Sequence, residues 1–249
     1  MGGSPLAYYY QSPGAVEFER RMRARIMEAA VALNASGADF AVYKDSRGNP
    51  QLWTRTNNGG LLLQTGVSPS AGILDIFRNG HLYAFECGTA MVIVLYKATI
   101  DVIGENAFNI YFKDMFLWDW HYNSNLRLVS THDKSEAIPG DVVYFKNPDH
   151  APDKEEWQGE NAIMLEGGQY YGHGIGIAPA EVIIDSLNQE RVPGSTTSAY
   201  LTNEGLHPDF EYMRSLSEGR QPPPVNQKQS ESAVFSRIGA TTYIHKIKH

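Results

Sequence analysis

Residues 85–104 read FECGTAMVIVLYKATIDVIG. From Cys87 to Ile103 the run is largely apolar, with Lys97 and Asp101 as its charges. It is too long for an ordinary strand, and Ala90, Met91, Leu95 and Ala98 favour a helix although Val92, Ile93 and Val94 do not. Gly104 and Asn106 supply a stop, so the spacing predicts a buried helix over 87–103. Cys87, the one cysteine in the chain, falls on its first turn. There the positive end of the helix dipole is expected to lower the thiol pKa, and free backbone N–H groups can receive an oxyanion. A plainer reading stands beside this one, because a free cysteine often packs as a small hydrophobe.

Outward from that helix, Ser12-Pro13 opens another, predicted over 15–35, with Phe18, Met22, Ile26, Ala29, Ala30 and Leu33 as its apolar stripe. Arg20, Arg21, Arg23 and Arg25 are offset by Glu17, Glu19 and Glu28 and read as a solvated face. Residues 39–65 read as short strands around the turn cluster Asp45-Ser46-Arg47-Gly48-Asn49-Pro50, and Ser68-Pro69 starts a short helix through Phe77. Strands are expected again at 141–145, 160–165 and 169–177, then a helix over 181–191. From Gly219 the chain turns polar and proline-rich, which reads as a linker (219–249) after a catalytic domain (1–218), with a weakly alternating end that suggests an edge strand. The fold class is α+β: one domain of helices with a central, mainly antiparallel sheet.

The composition excludes several classes. With 42% hydrophobic and 20% charged residues the chain is globular and not disordered. A net charge of −7 gives no electrostatic footprint for nucleic acid. One cysteine rules out an intramolecular disulfide and any cysteine-rich zinc site, which fits a reducing compartment. The opening MGGSPLAYYYQSPG lacks a secretory pattern, and the long apolar run is too short and too charged to span a bilayer. Synthesis and retention in a cytoplasm are the expectation.

A catalytic thiol needs a proton-accepting partner, and that partner an orienting group. Of eight histidines, His173 stands apart in YGHGIGI, where flanking glycines permit close approach. A two-residue turn at Glu166-Gly167 would set Glu160 directly opposite His173, their Cβ atoms roughly 5 Å apart; a three-residue turn would shift that register by one. An exposed cross-strand ion pair explains the spacing equally well. Glu86 is a second carboxylate, suited to the helix dipole or to the reacting centre. No metal-ligand spacing is present, and the glycine string at 172–176 lacks a following phosphate loop, so neither metal nor cofactor is expected.

The blocks YAFECGTA, DVIGENAF, WDWHY, GDVVYFKNP, WQGEN and YGHGIG, in this order over roughly residues 14–205, together resemble the spore-coat transglutaminases of endospore formers. These are calcium-independent protein-glutamine γ-glutamyltransferases. The resemblance implies an NlpC/P60-like, papain-like fold and a ping-pong acyl transfer. Cys87 would be the nucleophile, His173 its acid–base partner, and Glu160 or Glu86 the supporting carboxylate. Trp157, Trp118 and Trp120 would wall a dry substrate tunnel, core packing being their alternative role. Partners would be coat proteins presenting glutamine and lysine, with assembly on the spore coat after synthesis in the mother cell. An amidase acting on cell-wall peptides and a non-catalytic coat protein are the rivals. The tail after Gly219 has no counterpart in the resemblance.

Overall fold

A computed structural model describes residues 12–131, 137–219, 234–238 and 241–245, the last two stretches by backbone. In chain order the elements are α1 (Pro13–Ala35), β1 (Asp39–Phe40), β2 (Trp53–Arg55), β3 (Leu61–Leu63), α2 (Pro69–Arg78), β4 (Ala84–Phe85), α3 (Cys87–Ile103) and α4 (Glu105–Tyr111). Then follow β5 (Phe116–Leu117), β6 (Leu128–Thr131), β7 (Val142–Lys146), β8 (Gly159–Met164), β9 (Gln169–Gly172), β10 (Gly176–Pro179), α5 (Ala180–Gln189), β11 (Tyr200–Pro208), α6 (Phe210–Ser217), β12 (Val234–Ile238) and β13 (Thr241–His245).

The helix predicted over 87–103 forms with those bounds, and thirteen of its seventeen residues are buried. It is apolar on most sides because it is packed on most sides: α1 covers one flank, β8 and α6 cover others, and Lys97 and Asp101 mark the open face. Gly104 ends it at φ 85°, a left-handed conformation open to glycine. In α1 the buried stripe is the one the spacing predicts. Ser12 caps that helix by accepting the Ala15 N–H at 3.3 Å, and Pro13 occupies its first position.

Arg23 leaves the solvated face expected of it. Its guanidinium lies 2.6 Å from the buried Asp141 carboxylate and over the Phe210 ring at 4.8 Å. The partner lies 118 positions along the chain, so charge counting within one helix could not find it.

The main sheet is antiparallel, in the order β10-β9-β8-β7-β11-β6. Beside it lie the three-stranded β2-β3-β5 sheet and the parallel pair β1-β4, which delivers the chain into α3. An α+β domain with an antiparallel sheet is therefore what the sequence makes.

Two differences bear on the site. The single strand expected over 169–177 is a hairpin: β9 and β10 pair Gly172 with Gly176, and His173 to Ile175 form the turn. Gly174 at φ 106° and Gly176 at φ 97° occupy backbone conformations closed to other residues, which is why the chain reverses there. Ahead of β9 the turn holds three residues, Glu166–Gly168, not two. The register is Ala162↔Gly172 and Met164↔Tyr170, one position from the pairing that would oppose Glu160 to His173.

The sequence reading does not contain β4, β5, β6, β11, α4 or α6. In β11, Asn203, Glu204 and Gly205 interrupt the alternation, and the strand absorbs them as a register shift between Leu201 and Gly205. The others are short: β4, β5 and β6 hold two to four residues, and α4 and α6 seven and eight. The weakly alternating end of the chain forms β12 and β13, which pair with each other and not with the edge of the main sheet.

Candidate active site

Cys87 is the first residue of α3 and lines a cavity of about 590 Å³. Phe40, Tyr43 and Tyr144 supply its aromatic surface, and Asn161 lies beside the thiol. Cys87 is partly exposed as a residue, yet the surroundings of its thiol are dense. Burial pushes the thiol pKa well up, and the Glu160 and Glu86 carboxyls push it further. The lowered pKa expected from the helix dipole is therefore overturned. Desolvation and two nearby carboxyls outweigh half a positive charge at the helix start.

That helix start is also occupied. Glu86 is the N-cap residue, and its two carboxylate oxygens accept the N–H groups of Gly88 and Thr89, each at 2.6 Å. Ala90 donates to the Glu86 carbonyl at 3.1 Å. The capping role weighed for Glu86 is thus realised, and the oxyanion donors expected at the helix start are reduced to the N–H of Cys87 itself. Burial raises the Glu86 pKa, while these hydrogen bonds pull it back.

The strand side supplies the other groups. From β8, the Asn161 side-chain amide donates to Cys87 Sγ at 3.3 Å, and its backbone N–H points to the same sulfur. Glu160 is 6% exposed, and its Oε1 has no hydrogen-bond partner among the described residues. Its carboxyl packs over Gly172, where a Cβ would stand 2.9 Å from Glu160 Cγ, so this position must be glycine. The Glu160 pKa is raised well above normal, first by burial and then by Glu86, and the backbone N–H of His173 partly offsets this. The hairpin thus brings Glu160 and His173 together through a main-chain hydrogen bond, not as the side-chain pair expected.

His173 itself is committed elsewhere. Its Nε2 faces the Asp39 carbonyl at 3.1 Å and donates to it, leaving Nδ1 to accept the Tyr171 hydroxyl at 2.9 Å. The ring stacks on Phe85 at 4.8 Å and is 3% exposed. Burial lowers its pKa to about 4. A neutral imidazole with both nitrogens bonded to other groups is not poised on the thiol, in contrast to the Cys–His pairing expected.

A family model described as TGL, protein-glutamine gamma-glutamyltransferase, matches residues 1–217. A protein-glutamine gamma-glutamyltransferase of Bacillus mycoides is 39% identical over 252 residues, covering 98% of this chain and 89% of its own. One from Halalkalibacterium halodurans is 45% identical over 196 residues, with 79% and 69% covered. The chain belongs to this family. It is by membership an acyltransferase, a transglutaminase. A solved transglutaminase from Geobacillus stearothermophilus, without its C-terminal extension, superposes with a TM-score of 0.78 at 43% identity over 85% of this chain and all of its own. The tail after Gly219 was expected to lack a counterpart, but the Bacillus mycoides alignment reaches 98% of the chain and so enters it.

The tryptophans expected as walls of the transglutaminase site stand outside the cavity lining. Trp120 lies edge-on over Gly88, where a Cβ would come within 3.2 Å of the indole. Trp118 packs behind Tyr43 at 5.6 Å, and Trp157 is partly buried against the β7–β8 side of the core. Two site residues escaped the sequence reading. Asn161 is one: continuing the observed register by one step sets it, and not Glu160, opposite His173. Asp119 is the other: it lines the cavity at φ 50°, bonds the Tyr43 hydroxyl, and is tied to α3 because Thr89 Oγ1 donates to its carbonyl at 3.4 Å. An aspartate tolerates that left-handed conformation better than most residues. Among the described residues no group of three or more His, Cys, Asp or Glu is arranged to hold a metal, and no helix is long and apolar enough to cross a membrane.

Proposed function

We propose that the protein joins glutamine and lysine side chains of other proteins through a thioester on Cys87, within an NlpC/P60-like domain spanning 1–218. The observation that carries this reading is the thiol itself: on a partly exposed residue that lines the cavity, hydrogen-bonded by Asn161, and electrostatically joined to Glu160. The resting sulfur is a neutral thiol and needs a base at the moment of attack. Glu160 is the group placed for this, because burial has raised its proton affinity and one carboxylate oxygen has no other partner among the described residues.

In the first half-reaction Cys87 Sγ attacks the γ-carboxamide carbon while its proton passes to Glu160. Collapse of the adduct breaks the C–N bond, and that proton leaves with the nitrogen as ammonia. In the second half a lysine amine attacks the thioester carbon, gives its proton to Glu160, and expels the sulfur, which recovers the proton. The product is an N6-(γ-glutamyl)lysine crosslink. His173 serves by position: its backbone N–H holds Glu160, and its ring fixes Tyr171 and Asp39 around the site. Glu86 shapes the helix start and contributes charge.

Neither step calls for calcium or a cofactor. The proteins joined are proposed to be those of the spore coat, after synthesis in the mother cell. Support for this comes from the sequence blocks and from the Bacillus relatives.

Incorporation of a fluorescent primary amine into casein, with calcium chelated and ammonia followed in parallel, tests the reading. Wild type incorporates the amine and releases ammonia, and Cys87→Ala does neither. Ammonia without incorporation would make the protein a hydrolase. Silence in both channels would leave Cys87 a structural residue.

A further inference from the structure

Acyl transfer through Cys87 places negative charge on the carbonyl oxygen of the tetrahedral adduct, and something must stabilise it. The helix start is a poor source here. Glu86 holds the Gly88 and Thr89 N–H groups at 2.6 Å, and Ala90 is bonded to the Glu86 carbonyl. The oxygen also develops its charge beside two carboxyls, those of Glu86 and Glu160, whose proximity already disfavours an anionic sulfur.

We propose that the Asn161 side-chain amide is the principal oxyanion donor of this transferase, acting with the N–H of Cys87. Asn161 is 8% exposed, lines the same cavity as the thiol, and directs Nδ2 to Sγ at 3.3 Å. The adduct carbon is bonded to that sulfur and its oxygen lies one bond further, within reach of a donor already aimed at the sulfur. β8, an interior strand of the sheet, fixes the residue between β7 and β9. A neutral amide also suits the position, because it donates at every working pH and adds no charge next to Glu160. As the S–C bond forms, the carbonyl π pair moves to oxygen and accepts the Asn161 N–H. As C=O re-forms, the C–N bond breaks and the proton held by Glu160 leaves with the nitrogen as ammonia.

The inference rests on the transferase reading, and its test separates the two. Full-length wild type, Asn161→Ala and Asn161→Asp are compared for ammonia release from a glutamine peptide and for alkylation of Cys87 by iodoacetamide. Alkylation is a substitution at saturated carbon and forms no oxyanion. It therefore reports thiol reactivity and folding alone. Loss of the donor is expected to lower kcat by about 10²–10³-fold with KM changed by no more than about threefold. In Asn161→Ala alkylation should stay within about fivefold of wild type, since only a hydrogen bond to sulfur is lost. The isosteric Asn161→Asp keeps the side-chain volume and should lose turnover at neutral pH to at least the same degree.

Turnover within about tenfold of wild type in either variant would overturn the proposal, given the size of an oxyanion donor's contribution. So would alkylation of Asn161→Ala that falls in step with turnover, which would make Asn161 a support for the thiol only. A wild type that is alkylated yet releases no ammonia would overturn the transferase reading and this inference with it.

Discussion

Across the thiol, α3 and the β8–β9 hairpin face each other and are built from different material. The helix is a buried apolar rod whose polar start is closed on itself by Glu86. The hairpin side buries Glu160, Asn161 and His173 together and leaves a carboxylate oxygen without a partner among the described residues. One side holds the nucleophile still; the other keeps polar groups in a dry setting where each proton and each donor counts. Cys87 and Glu160 are both strongly perturbed by burial, but the unpartnered oxygen lies on the strand side, on Glu160, and that is where substitutions should cost activity.

The sharpest break between the sides is expected at Glu160. Glu160→Gln keeps the shape and removes the proton carrier, so kcat should fall by about 10²–10⁴-fold while the melting temperature holds or rises, the burial of a strained carboxyl being relieved. Steady-state ammonia release together with calorimetry checks both halves. Equal loss of activity and fold would reduce Glu160 to a structural residue.

His173 gives a smaller effect, visible against pH. Its pKa is about 4 when folded, against 6.5 for an exposed imidazole, so the unfolded chain binds a proton in that window that the folded chain does not. The contribution is complete above pH 6.5 and is lost as pH falls toward 4, amounting to roughly 3 kcal/mol at 1.36 kcal/mol per unit. His173→Gln should flatten that acid limb in urea melts recorded from pH 7 to 4. An unchanged limb would mean that the ring is not buried as a neutral group.

On the helix side the expectation is mostly one of stability. Glu86→Ala removes both cap bonds and should cost about 1–2 kcal/mol, lowering the melting temperature by roughly 3–6 °C. Turnover should stay within about tenfold of wild type, since the variant also frees two N–H groups at the helix start. A loss matching that of Glu160→Gln would erase the distinction between the sides.

How legible each side is follows the same division. The helix of residues 87–103 and the stripe of α1 could be read because burial there is a matter of period and stop signals within one segment. The strand side could be read only in outline. Glu160 is set opposite His173 only by a two-residue turn, and the three-residue turn at Glu166–Gly168 displaces that register by one and brings Asn161 there instead. The glycines at 172, 174 and 176 were visible as permissive, but whether they serve a strand or a reversal depends on Phe40 and Glu160, which pack against them from distant segments. Asp119 and Arg23 were hidden for the same reason, each defined by a partner far away in sequence.

The most direct test of catalysis through Cys87 is intact-mass detection of its thioester. The protein would be mixed with a glutamine donor peptide in the absence of any amine and quenched in acid. Catalysis through Cys87 predicts an adduct equal to the donor less one ammonia, confined to Cys87, absent from Cys87→Ala, and discharged when a primary amine is added. No adduct, or one that persists in Cys87→Ala, would contradict it.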